Sequence, residues 1–155
     1  MIYLVRQGQT DWNLFQRFNG VTETFLNQTG IEQARKQADE LKNIKFDMCF
    51  CSPQIRAVQT GEIIYKGRMI LDERLSEIVC GEFEGTEENG ESMKQFLQAI
   101  KTGDKGTELF EQFMKRNESF CNAQRGIQAK KHIGNYTCRQ CESDKLFSER
   151  KAGKI

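Results

Sequence analysis

Short apolar runs alternate with amphipathic stretches along the first half of the chain. Ile2 to Val5 is an aliphatic run that ends on Arg6, and Phe46 to Cys51 ("FDMCFC") is a second, closed by Ser52-Pro53. Both have the length and bounds of buried strands. Between them, Thr29-Gly30 leads into "IEQARKQADELKN", where Ile31, Ala34, Ala38 and Leu41 recur at helical spacing with charges on the other face. Thr29 is read as the cap of that helix. Pro53 suits a first helical turn, so "PQIRAVQTGEII" predicts a second helix, and Met69 to Leu71 a third short strand. The order β, α, β, α, β predicts a parallel sheet sandwiched by helices, with ligand-binding groups beyond the carboxyl ends of the strands. Farther on, "ESMKQFLQAIKTG" and "TELFEQFMKRNESF" are helical patterns parted by a Gly-rich turn at Gly103 to Gly106, and they predict a helical cap or flank.

Composition narrows the picture. At 155 residues, 37% hydrophobic and 29% charged, the chain suits one globular domain with a single core. With 23 Lys and Arg against 22 Asp and Glu, its overall field argues for neither nucleic acid nor a membrane surface as partner. No apolar run reaches membrane-spanning length and no leader pattern follows Met1, so a cytoplasmic location is expected. The six cysteines have no regular framework, which in a reducing compartment makes them thiols before disulfides. Cys49 and Cys51 are read as packing residues, one on each side of their strand, and Cys80 as filler in a turn.

The stretch "YLVRQGQTDWN", Tyr3 to Asn13, carries the chemistry. A tight Gly turn at a strand end exposes backbone N–H groups to an anion, and Arg6 adds a planar fork suited to phosphate oxygens. Arg56, early in the second helix, enters the same crevice if the sheet is parallel, so that two arginines clamp one phosphate. Glu77, in "RLSEIVCGEFEG", can supply a proton to a departing alkoxide. Trp12 and Phe18 are open to two roles, pocket wall or packing. What is lacking is a nucleophile.

"YLVRQGQTDWN", "LNQTGIEQA", "CSPQIRAVQT" and "DERLSEIVCGEFEG" together resemble the successive blocks of the histidine phosphatase superfamily, which includes cofactor-dependent phosphoglycerate mutases and small phosphomonoesterases. The resemblance covers about Met1 to Gly85, and more loosely the helices to about Phe120. It implies an α/β, three-layer phosphoglycerate mutase-like fold with a mostly parallel sheet, here truncated at the carboxyl end. It implies phosphate- or substrate-binding roles for Arg6, Gly8, Thr10, Asn13, Asn19, Gly20 and Arg56, and an acid/base role for Glu77. No metal and no cofactor are implied, and the partner is a small phosphorylated metabolite. Family members attack phosphorus with a histidine in an Arg-His-Gly turn and use a second histidine on a later strand. Gln7 stands where the first belongs, and the chain holds one histidine, His132. An amide nitrogen, its lone pair delocalised, forms no phosphoryl intermediate, though it still hydrogen-bonds phosphate. The expectation is an impaired enzyme or, alternatively, a pseudophosphatase that binds phosphorylated ligands or a protein partner. Nothing in the sequence fixes an oligomeric state.

The last quarter is of another character. Residues 122–155 hold 8 Lys and Arg against 3 Asp and Glu, leaving 15 against 19 for residues 1–121, and no strand or helix pattern runs for long. The division falls there: 1–121 as an incomplete family domain, 122–155 as a divergent tail expected to be poorly ordered. Cys138-x-x-Cys141 with His132 and Cys121 offers zinc-ligand chemistry, but with no second pair to close a site none is expected. Written as degenerate codons and read one base later, "KHIGNYTCRQCESDKLF" permits "NILVITHAGNVRVINYF", an aliphatic strand followed by Thr-His-Ala-Gly. That is the family's second-histidine block, which suggests a one-base shift between about Phe120 and Lys131. The strand so lost would have paired beside Ile2 to Val5 at the sheet's centre, and marginal stability is expected from its loss.

Overall fold

A computed structural model describes residues 2–125 and 132–136. The strands are β1 (Ile2–Arg6), β2 (Met48–Cys51), β3 (Met69–Leu71) and β4 (His132–Tyr136), and the helices α1 (Asp11–Leu14), α2 (Gln28–Leu41), α3 (Ile55–Ile64), α4 (Gly90–Thr102) and α5 (Phe110–Arg125). All three pairings in the sheet are parallel, in the order β1-β4-β2-β3. The alternation read from the sequence is thus realised, and the parallel sheet brings the ends of β1 and β2 to the same edge with β4 between them.

Strand period decides which helix covers which row. Tyr3, Ile133, Cys49 and Met69 share one register row. Val5 and Cys49 are buried on that side, with Tyr3, Leu41, Phe46, Ile64 and Met69 packed around them, so α2 and α3 cover it. The next row, Leu4, Gly134, Phe50 and Ile70, meets the other layer. There Phe50 packs on Leu75 and Phe120, the two rings edge-on at 5.3 Å, and α5 covers it. A third cluster of Phe18, Ile78, Phe83, Phe96, Ile100 and Phe113 joins α4 and α5 into a cap above the strand ends.

Three expectations are corrected. The strand beside β1 is not missing: residues 132–136 fill that place, pairing with β1 from Ile2↔His132 to Arg6↔Tyr136 and with β2 on the other side. Cys49 and Cys51 face the same layer, because residues two apart in a strand share a face; both pack toward α3. Asn27, not Thr29, caps α2: its side chain accepts from the Gly30 N–H at 2.9 Å. The rest of the tail, with Cys138 and Cys141, lies outside the described residues. Among the described residues no helix is long and apolar enough to cross a membrane.

Candidate phosphate-binding site

The turn that leaves β1 is held by close backbone packing. Gly8 lies against Gly30 so tightly that an added Cβ would strike the Gly30 carbonyl, and its N–H donates to Thr60 Oγ1 of α3 at 3.1 Å. The Gln9 N–H donates to Gln33 Oε1 at 2.9 Å. Thr10 then caps α1 reciprocally with Asn13: the Thr10 N–H donates to Asn13 Oδ1 at 3.0 Å and the Asn13 N–H to Thr10 Oγ1 at 3.3 Å. Asn19 Nδ2 reaches back to Thr10 Oγ1 at 3.1 Å, closing the loop on itself.

A cavity of about 780 Å³ opens beyond these strand ends. Of the residues read from the sequence, Arg6, Gln7, Gly8, Asn13, Asn19 and Glu77 line it together. Arg6 is exposed on its wall, and the Arg6 carbonyl accepts from Gln37 Nε2 at 3.4 Å. Gln7 Oε1 is buried with no hydrogen-bond partner among the described residues. Glu77 is 8% exposed; its Oε1 accepts from the Ile78 N–H at 2.9 Å and its own N–H donates to Gln54 Oε1 at 3.0 Å.

Arg56, Thr10 and Gly20 are not among the lining residues. The Arg56 guanidinium is fully buried and both terminal nitrogens go to backbone, Nη2 donating to Gly20 O at 2.6 Å and Nη1 to Thr22 O at 3.0 Å, while Nε has no hydrogen-bond partner among the described residues. Burial pushes its pKa down, while the carboxylates of Glu77, Glu23 and Glu84 pull it back up. The two-arginine clamp is therefore not formed by these side chains; Arg56 holds the 19–22 segment as a strut. Gly20 is pinned from its other side by Glu84, whose Oε2 accepts the Gly20 N–H at 3.1 Å. Phe18 serves both of its expected roles, lining the cavity and packing in the cap. Trp12 packs on Gly85, whose φ of +72° suits glycine.

Several functional side chains escaped sequence reasoning. Arg17 lines the cavity and donates Nη1 to Gly85 O at 2.7 Å. Gln54 bridges Gly20 O (2.6 Å from Nε2) and the Glu77 N–H. Arg116, on α5, grips Glu108 in a two-point pair at 2.7 and 2.9 Å and also donates to the carbonyls of Arg74, Ser76 and Glu77, fixing the segment that carries Glu77. The Cys80 thiol lines the cavity but is buried, and burial together with Glu84 and Glu77 drives its pKa far up, which favours the thiol over the thiolate. Among the described residues no group of His, Cys, Asp and Glu is arranged to hold a metal ion.

A parallel sheet covered on both faces, with an arginine turn and a buried carboxyl group in one crevice beyond the strand ends, defines an α/β domain of the three-layer kind. The sequence model of the histidine phosphatase superfamily, branch 1, matches residues 2–137, and the chain belongs to that family. It is 46% identical over 63 residues to the uncharacterized phosphatase PhoE of Bacillus subtilis, covering 41% of this chain and 33% of that protein. It is 43% identical over 65 residues to a 2,3-bisphosphoglycerate-dependent phosphoglycerate mutase of Nautilia profundicola, covering 41% of this chain and 28% of that protein. The chain spans less than half the length of the curated relatives it matches. Its fold is similar to an alpha-ribazole phosphatase from Shigella flexneri, with a TM-score of 0.76, 23% identity, and coverage of 88% of this chain and 73% of that one. It is also similar to a phosphoglycerate mutase from Thermus thermophilus, with a TM-score of 0.68, 26% identity and coverage of 88% and 76%.

Proposed function

We propose that this chain binds small phosphate monoesters in the cavity at the end of β1 and transfers phosphoryl groups poorly or not at all. The observation that carries the reading is Gln7. It sits in one cavity with Arg6 and Glu77, where family members put the attacking imidazole, and its side chain is a carboxamide. Arg6 and the Asn13 amide supply charge and donors for phosphate oxygens, while Asn19, whose amide donates to Thr10 and Thr24, holds the loop in shape. Glu77 supplies the acid. The lone pair of the Gln7 amide nitrogen is delocalised into the carbonyl and does not attack phosphorus, so the covalent route through phosphohistidine is closed. Direct attack by water remains open, because positioning and electrostatics carry much of phosphoryl transfer. The ancestral activity on this reading is a small-molecule phosphatase or mutase. Calorimetric titration with inorganic phosphate, together with p-nitrophenyl phosphate turnover, tests it: binding that falls at least tenfold in Arg6→Ala, with turnover near background, is the expected result. A trapped phosphoenzyme or rapid turnover overturns it. Binding without turnover is also what a regulatory pseudophosphatase requires.

A specific observation favours a reading-frame lesion behind the tail. The central strand β4 is paired on both sides yet reads His-Ile-Gly-Asn-Tyr, with glycine and asparagine, poor strand formers, at its third and fourth positions. The one-base-shifted reading puts Ile-Leu-Val-Ile-Thr at the same five positions, matching an apolar sheet between Leu4 or Val5 and Phe50 or Cys51. Its histidine follows at position 137, one step beyond the Arg6↔Tyr136 pair, level with Gln7 if the register continues. The coding DNA decides: a neighbouring frame without that open reading rules the lesion out.

A further inference from the structure

The lining of the cavity is divided by chemistry. Around Arg6 it is polar, while the side under the cap presents Phe18, Ile78, Met93 and Phe96. Phe18, Ile78 and Phe96 are each at most 5% exposed, so they offer fixed edges rather than mobile chains. Phe18 and Phe96 lie 5.0 Å apart, and Phe83 packs on both at 5.6 and 5.5 Å, which locks the rings from behind. Among the described residues, the charged side chains that line the cavity are two guanidiniums, Arg6 and Arg17, and two carboxyl groups, Glu77 and Glu88.

We propose that this site takes phosphate monoesters of neutral, partly apolar alcohols and discriminates against phosphorylated hydroxy acids. The proposal rests on the phosphate reading above and adds the substrate class. A phosphate group brings about two negative charges, which Arg6 and the amides around it receive. A hydroxy acid adds a carboxylate. To bind, that group must leave water for a cavity in which Arg17 already donates to Gly85 O and whose wall carries the acidic residues Glu77 and Glu88. A desolvated charge without its own partner is costly, and like charges across a site select against the wrong ligand. A neutral alcohol portion meets neither obstacle and gains contact with the cap's apolar wall.

Calorimetry on the full chain with three probes, inorganic phosphate, phenyl phosphate and 3-phosphoglycerate, separates this proposal from the one beneath it. The expected order is phenyl phosphate tightest, inorganic phosphate next and 3-phosphoglycerate weakest, with at least tenfold between first and last. Met93→Lys should cut that ratio at least tenfold. Should that variant fail to fold, Glu88→Gln should tighten 3-phosphoglycerate several-fold with phenyl phosphate unchanged. If phosphate binds but 3-phosphoglycerate binds as tightly as phenyl phosphate or tighter, the inference falls and the phosphate site stands. If phenyl phosphate binds no better than inorganic phosphate, the apolar wall has no role in binding and the inference falls as well. No binding of any probe overturns the phosphate reading, and this inference with it.

Discussion

The loop wall of the cavity and the centre of the sheet are built to different standards. From Gly8 to Thr22 nearly every polar group meets a partner: Thr10, Asn13 and Asn19 bond one another, Arg56 and Gln54 hold the Gly20 carbonyl, and Glu84 holds its N–H. In the sheet, the row facing α5 runs Leu4, Gly134, Phe50, Ile70, with Phe50 buried but Leu4 45% and Ile70 39% exposed. One region is over-determined by polar partners. In the other, the pairing is parallel and complete, but the side chains do not fill it. The lesson is that a binding loop can be supported by side chains from the helix behind it while the sheet it springs from is poorly specified.

The sharpest way to break the well-built region is Arg56→Ala. It removes a fully buried side chain, leaves the Thr22 carbonyl without its donor and the Gly20 carbonyl with Gln54 alone, and should cost about 3–5 kcal/mol, read as a lower urea midpoint. Arg56→Lys should recover only part, since a point charge cannot span the same acceptors. Next comes repair of the weak region: replacing residues 132–136 by Ile-Leu-Val-Ile-Thr should stabilise the chain by about 2–3 kcal/mol, through strand propensity and added apolar burial. A thermal midpoint that fails to rise would mean the sheet's centre does not limit stability. Gly8→Ala drives a Cβ into the Gly30 backbone and should cost about 1–3 kcal/mol in denaturant unfolding, with phosphate binding weakened alongside.

The smallest effect lies just past the end of β3, where hydrogen bonds from the Arg74 guanidinium at 2.6 and 2.9 Å hold the Asp72 carboxyl below the usual carboxylate range. A depressed folded pKa stabilises above the unfolded value of about 4 and is lost as pH falls through the folded one. Asp72→Asn should therefore cost under about 1 kcal/mol from pH 7 to 5. The gap to the parent should shrink below about pH 4 in unfolding measured across that range.

Much of the fold was legible because periodicity reports burial. Ile2 to Val5, the helix through Ala34 and Leu41, and Met69 to Leu71 each announce one covered face. Arg6, Gln7 and Glu77 were legible because they sit in local blocks that resemble a family. Thr29 misled because Asn27, two residues earlier, is the better side-chain acceptor for the first turn. Gln54, Arg17 and Arg116 left no signal: each acts on backbone carbonyls far away in the chain, and a carbonyl acceptor carries no sequence identity.

By itself the sequence determined the alternating elements, the arginine turn and the carboxamide within it, since these depend on residue types and near neighbours. Only the tertiary structure decided that Arg56 is a strut, that Glu77 is held by Gln54 and Arg116, and that 132–136 lies between β1 and β2. Those facts depend on which distant groups share a buried space, where most donors and acceptors find a partner and a strand able to complete the pairing is drawn in.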